Sequence, residues 1–166
     1  MTLEEIRGRA IAPALELLPA RMSDSRVQAE IMLLCIGLQE SRFVHRRQIG
    51  GPARSFWQAE QGGGMVHGVL RHHLTRDHAV RVCDARGVRP VDEQVYAAIE
   101  HDDVLAAALA RLLLWSDPGK LPAVGKVENA WALYLRTWRP GAAERDYDNL
   151  RTKWGRNYAK VIECLA

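Results

Sequence analysis

The stretch from Val104 to Trp115 is the most apolar in the chain, and it decides what kind of core can be built. Leu105, Ala108, Leu109, Leu112 and Leu113 recur at three- and four-residue intervals, which lays a wide apolar stripe along one helix. Asp102 and Asp103 open that helix with a cap and a favourable charge at its N-terminus, and Pro118 beyond it cannot continue it. A helix this apolar needs other elements around it, so it predicts the central core element of a helical domain.

The rest of the chain supplies those elements. Residues 3–18 read as a first helix, ended before Pro19. Ser23 or Asp24 caps a second that runs to about Ser41, with Ile31, Leu34, Cys35 and Leu38 on one apolar face. Shorter helices are expected over 65–73, over 76–85 (closed by Gly87 and Pro90) and over 92–101. One more covers 127–138, broken by Pro140-Gly141, and a last one covers 145–165, with Gly155 as a weak point. Between the second and third, Gly50, Gly51 and Pro52 and then Gly62, Gly63 and Gly64 bracket an irregular or hairpin segment over 44–63. The expected fold is therefore all-α with a minor β-hairpin or loop excursion, and 166 residues suit a single domain.

Composition excludes several classes. Charges are mixed and the net charge is only +3, which favours approach to an anionic polymer and falls short of a nucleic-acid-binding signature. Basic residues cluster at Arg42, His45, Arg46, Arg47 and Arg54, either as a solvated loop or as part of a groove facing an acidic polymer. The three cysteines, Cys35, Cys83 and Cys164, form neither a disulfide framework nor a metal pattern, which points to a reducing compartment of synthesis. His72, His73 and His78 are close in sequence but lack the ligands and spacing of a known site, so no metal is expected. No phosphate loop, dinucleotide fingerprint or nucleophile elbow occurs, and no cofactor is implied. The start Met1-Thr2-Leu3-Glu4-Glu5 is acidic where a secretory signal is basic, and no apolar run is long enough to span a membrane.

One carboxylic acid stands out. Glu40 ends the helix that carries Ile31, Leu34 and Leu38, where apolar neighbours and the negative end of the helix dipole both favour its protonated form. A proton donor at the edge of a groove needs such a residue. The plainer reading is a solvent-facing glutamate in a last helical turn.

Gly37-Leu38-Gln39-Glu40-Ser41-Arg42-Phe43 and then Ser55-Phe56-Trp57-Gln58 resemble the lysozyme-like domain of lytic transglycosylases and goose-type lysozymes, with its Glu-Ser motif and its later Gly-Leu-Met-Gln-like motif. Glu128-Asn129-Ala130-Trp131-Ala132-Leu133-Tyr134 falls where that family has an Ala-Tyr-Asn segment. Arg156-Asn157-Tyr158-Ala159-Lys160-Val161 looks like its closing Arg-x-Tyr-Val-x-x-Val segment. The four pieces keep family order over roughly residues 24–164. The stretch His45 to Arg54 looks like a subgroup encoded by tailed bacteriophages and prophages. Three departures stand: Ser55 replaces the family's Gly, Trp57 its Met, and the Ala-Tyr-Asn segment is only loosely kept.

The resemblance implies cleavage of the MurNAc-β-1,4-GlcNAc bond of peptidoglycan, with Glu40 as catalytic acid and then base. It implies substrate contacts from Ser41, Trp57, Gln58, Glu60 and Tyr158, with Tyr158 beside Glu40. Glu60 is either a second carboxylate able to activate water across a gap of about 6.5–9.5 Å or an ordinary helix-start charge; a transglycosylase would not need it. Gln58 is otherwise a turn residue, Tyr158 a core residue, and Trp57, Trp131, Tyr134 and Trp138 either sugar platforms or packing. The implied partners are peptidoglycan strands and other phage virion or tail proteins, with neither nucleic acid nor a membrane span. The implied setting is a chain made in the bacterial cytoplasm and carried in the virion to the host wall. The rival reading is a virion structural or ejection protein that keeps the fold with little or no catalysis; a small DNA-binding module is the weakest.

Overall fold

The computed structural model describes residues 1–140 and 146–166, and the side chains of all of these except Ser23 and Asp24. The chain is all-α: α1 (Leu3–Ile6), α2 (Ala12–Glu16), α3 (Arg26–Glu40), α4 (Arg76–Ala85), α5 (Asp92–Ala98), α6 (Asp103–Ser116), α7 (Val127–Trp138) and α8 (Tyr147–Leu165). No strand occurs among the described residues, and no helix among them is long and apolar enough to cross a membrane.

The predicted core helix is at the centre. α6 packs against α2, α3, α4 and α7, and Leu105 through Leu112 are all buried. The Asp102 carboxylate accepts from Leu105 N–H at 2.9 Å and so caps α6. α3 is more enclosed than a single apolar face requires: Leu33 and Ile36 are as buried as Ile31, Leu34 and Cys35, while Leu38 is half-buried. Its longest partner is α8, which runs unbroken through Gly155.

Three boundaries differ from expectation for local reasons. The first helix opens with a capping box between Thr2 and Glu5 and then passes through a π-helical turn, Arg7–Ile11, before α2. Pro13 explains this: it offers no N–H and its ring would crowd the carbonyl four residues back, which the wider turn relieves. The helix expected over 65–73 is a π-helical turn, Gly64–Gly68, followed by hydrogen-bonded turns up to Thr75. Thr75 is buried, and its hydroxyl bonds the Val69 carbonyl at 2.8 Å instead of continuing a helix. α5 stops at Ala98, three residues short of the expected end. The Ser23 or Asp24 cap falls on side chains outside those described; the residue preceding α3 is Ser25. The expected helix start at Arg145 also lies outside the described residues, and Asp146 caps α8 through Asn149 N–H at 3.1 Å.

The excursion after α3 is a folded tongue held by isolated antiparallel bridges, Arg47 to Arg54 and Arg54 to Ala59. Its anchor is aromatic. Phe43 meets Phe56 and Trp57 edge-on with ring centroids 5.5 and 6.0 Å apart, and the Trp57 indole donates to the Leu33 carbonyl at 2.9 Å. Phe43 lies so close over α3 that a Cβ on Gly37 would collide with its ring. Arg46 ties the far side down with a two-pronged bond to Asp103 at 2.9 and 2.7 Å, its guanidinium 4.3 Å from the Phe56 ring centre.

Candidate active site

Glu40 is the last residue of α3, and its position is fixed from below. Its neighbour Gln39 is buried and bonded to α8 on both sides: its amide nitrogen donates to the Leu150 carbonyl at 3.1 Å and its oxygen accepts from Asn157 at 2.9 Å. Lys153 donates to the Gln39 backbone carbonyl. This answers the usual problem of a helix C-terminus, whose last carbonyls lack intrahelical donors. Ser41 then closes the helix, its hydroxyl donating to the Gly37 carbonyl at 3.2 Å and accepting from Phe43 N–H at 3.1 Å. The chain turns sharply because Arg42 and Phe43 both take left-handed φ values of 55°.

Above this helix end lies a cleft of about 540 Å³ lined by Glu40, Ser41, Arg42, His45, Gln58, Glu60, Tyr134, Trp138 and Lys153 among others. It runs into a second section of about 650 Å³, walled by Gly62, Gly63, Met65, Leu113, Asp117 and Arg136, with Gln58, Glu60, Trp138 and Arg139 common to both. The larger section does not include Glu40. The two sections are thus adjacent, and Gln58, Glu60, Trp138 and Arg139 connect the cleft at Glu40 to the larger one.

The contact that gives Glu40 its setting comes from α7. Tyr134 donates its hydroxyl to Glu40 Oε1 at 2.6 Å, within the range of a charge-assisted O–H···O bond. Its ring is held in turn, stacked on Trp154 with centroids 4.9 Å apart and 5.4 Å from Trp131. Trp131 is thus a packing residue, Tyr134 packs through its ring and reaches the acid through its hydroxyl, and Trp138, whose indole donates to the Trp57 carbonyl at 3.0 Å, joins α7 to the tongue. The family resemblance implies Tyr158 beside Glu40, whereas the tyrosine that reaches the acid is Tyr134, in the segment that stands where the family has Ala-Tyr-Asn. In the structure the Tyr158 hydroxyl accepts from Gly125 N–H at 2.9 Å, and burial outweighs that bond in raising its pKa.

The predicted site residues therefore divide. Glu40, Ser41, Gln58 and Glu60 line one cleft; Trp57 and Tyr158 do not. Trp57 is fully buried beneath the tongue. Gln58 is presented by a left-handed residue of its own (φ 52°), and its amide nitrogen donates to the Ser55 and His45 carbonyls at 2.8 and 3.4 Å. That pins the side chain against the rim, which favours a positioning role. Ser55 is buried with φ 69°, a conformation that favours glycine, and its hydroxyl compensates by accepting from Trp57 N–H at 3.1 Å. The basic cluster also divides: Arg46 pairs with Asp103, and Arg47 and Arg54 pair with Glu100, leaving Arg42 and His45 at the cleft. Among the described residues no group of three His, Cys, Asp or Glu side chains is placed to hold a metal ion.

No protein-family model, no curated protein and no solved structure matches this chain.

Proposed function

We propose that this chain is a peptidoglycan-cleaving enzyme of the lysozyme-like class that breaks the MurNAc-β-1,4-GlcNAc bond with Glu40 as its general acid. The observation that carries the reading is the Tyr134–Glu40 bond in a cleft that Gln58 and Glu60 also line. A carboxyl fixed at a helix end by a phenol can protonate a glycosidic oxygen, and the phenolic bond strengthens as the carboxylate forms. Gln58 would hold a sugar hydroxyl or acetamide in register, since an amide both donates and accepts. After the first step the Glu40 carboxylate would accept a proton, either from the sugar's own 6-hydroxyl, giving a 1,6-anhydro product, or from water. Two further observations support the resemblance. Ser55, standing where the family has glycine, keeps the backbone that glycine favours, and the segment aligned with Ala-Tyr-Asn delivers the tyrosine that meets the acid.

The phage-virion setting, with delivery to the host wall, rests on the resemblance of the tongue sequence alone. The competing reading, a virion structural protein with the same fold, gains from the commitment of Ser41, Trp57 and Tyr158 to internal hydrogen bonds. Mass spectrometry of purified cell walls after digestion separates the outcomes. Anhydro-muropeptides identify a transglycosylase, reducing muropeptides a hydrolase, and undigested walls refute the enzymatic proposal.

A further inference from the structure

A separate cavity of about 690 Å³ opens between the N-terminal end of α3 and the C-terminal end of α6, with Ser25, Arg111, Leu114, Trp115, Lys120 and Leu121 in its lining. Arg111 is 1% exposed, yet neither its Nε nor its Nη1 finds an acceptor among the described residues. Among the described residues its one side-chain hydrogen bond runs from Nη2 to the Ser25 hydroxyl, a neutral partner at 3.3 Å. The acid on the cavity wall, Asp117, is already held by Arg136 at 3.1 and 3.2 Å. Burial lowers the Arg111 pKa to about 10, so the group still carries its charge at neutral pH. A buried guanidinium with five donors is ordinarily matched by a carboxylate or phosphate, and this one lacks such a match among the described residues.

The surroundings reinforce the deficit. Arg21 and Arg111 lie over the same Trp115 ring, 5.7 and 5.4 Å from its centre. A neighbouring cavity shares Arg21 and Leu74 and adds His73, His78 and Arg81 together with one acid, Asp77. There Arg21 and Arg81 each place a guanidinium nitrogen 2.9 Å from the His78 ring, and burial together with these two charges lowers its pKa. The mouth of the site is thus cationic, which raises the local concentration of anions.

We propose that this cavity is an oxyanion-binding site, in which Arg111 receives a carboxylate or phosphate group carried on a molecule whose apolar part rests against Trp115, Leu114 and Leu121. Lys120 and Arg21 line the same cavity, and the Ser25 hydroxyl, which accepts from Arg111 and donates to the Met22 carbonyl at 3.4 Å, forms part of its wall. The 15 residues of α3 separate this end from Glu40 by about 20 Å, so the inference is independent of the glycosidase reading.

The test is thermal melting of the full chain in inorganic phosphate, in propionate and in chloride at matched ionic strength, for the wild type, Arg111→Met and Arg111→Lys. Wild-type melting temperature should rise saturably with phosphate or propionate beyond any effect of chloride. A response to phosphate alone assigns a phosphoryl ligand, and one to propionate assigns a carboxylate. Arg111→Met should weaken binding about ten-fold or more, because it removes a charge-assisted bond. It should also melt no lower than wild type in anion-free buffer, since an unmatched buried charge gives way to an apolar chain. If that variant fails to fold, Arg111→Lys and the shift of the Trp115 indole proton in NMR titrations of wild type provide the same readout. The proposal is overturned if neither anion exceeds chloride, or if the anion response survives unchanged in Arg111→Met.

Discussion

Replacing Tyr134 by Phe isolates the one contact on which the catalytic reading turns. The substitution deletes a hydroxyl that donates to Glu40 Oε1 at 2.6 Å and leaves the ring stacked on Trp154. A hydrogen bond to an ionised partner is worth about 1.5–3 kcal/mol, against about 1 kcal/mol for a neutral one. Glu40 passes from acid to carboxylate as it donates its proton, so the difference between these values falls on the transition state. That difference, about 0.5–2 kcal/mol, converts to roughly 2–30-fold in turnover. The ground-state share appears instead as stability, about 1 kcal/mol, or a fall of a few degrees in melting temperature. The assay is release of muropeptides from purified walls, with turnover and KM measured separately beside a thermal melt. The expected result is lower turnover with little change in KM. A variant that melts a few degrees lower but turns over like wild type would refute the reasoning and reduce Tyr134 to a packing residue.

Glu40→Gln should cut turnover by about 10²–10⁴-fold with the fold intact, checked by wall-turbidity assay and melting; near wild-type activity removes Glu40 from the mechanism. Glu60→Gln should leave most activity in a transglycosylase, whose nucleophile is already attached to the substrate, and abolish it in a hydrolase that uses Glu60 as base. Asp102→Ala should destabilise by about 1 kcal/mol, chiefly through loss of the α6 cap and with a smaller part from its exposed pair with Arg86, measured by urea unfolding at unchanged m-value. The hydrogen bond from Arg136 holds the Asp117 carboxyl below its ordinary pKa, against a smaller upward push from burial. Its stabilising contribution is therefore complete above the unfolded value, about pH 4, and disappears as the pH falls through the lower folded value. Melting curves of Asp117→Asn and wild type should converge at the acid end of that window and separate above it.

The helices were legible in the sequence where one residue type enforces one outcome. Asp102 and Pro118 bound α6 because a carboxylate caps and a proline stops whatever surrounds them. Gly87, at φ 69°, ends α4 in the same way. Legibility failed where a local preference competes with a tertiary contact. The sequence predicts one regular helix over residues 3–18, yet Pro13 forces a wider turn within it, and burial of Ile6, Ala10, Ile11 and Ala14 on one side keeps the chain helical through that turn. Likewise a helix is expected over 65–73, but the Thr75 side chain takes the Val69 carbonyl.

The site shows the same division at the scale of single atoms. A glutamate at the end of an apolar helix can be found by periodicity, because the apolar face places it within a turn of the helix terminus. Which phenol reaches it cannot, because Tyr134 and Tyr158 are both aromatic, both on C-terminal helices and both spaced for burial. The choice depends on α8 being clamped to the end of α3 by Gln39, Lys153 and Asn157. With those bonds made, the Tyr158 hydroxyl lies with Gly125, and α7 brings Tyr134 to the carboxyl. A polar residue beside a candidate acid, such as Gln39, is therefore worth as much attention as the acid itself. Its buried amide must be satisfied on both sides, and the partners it takes fix which helix faces the site.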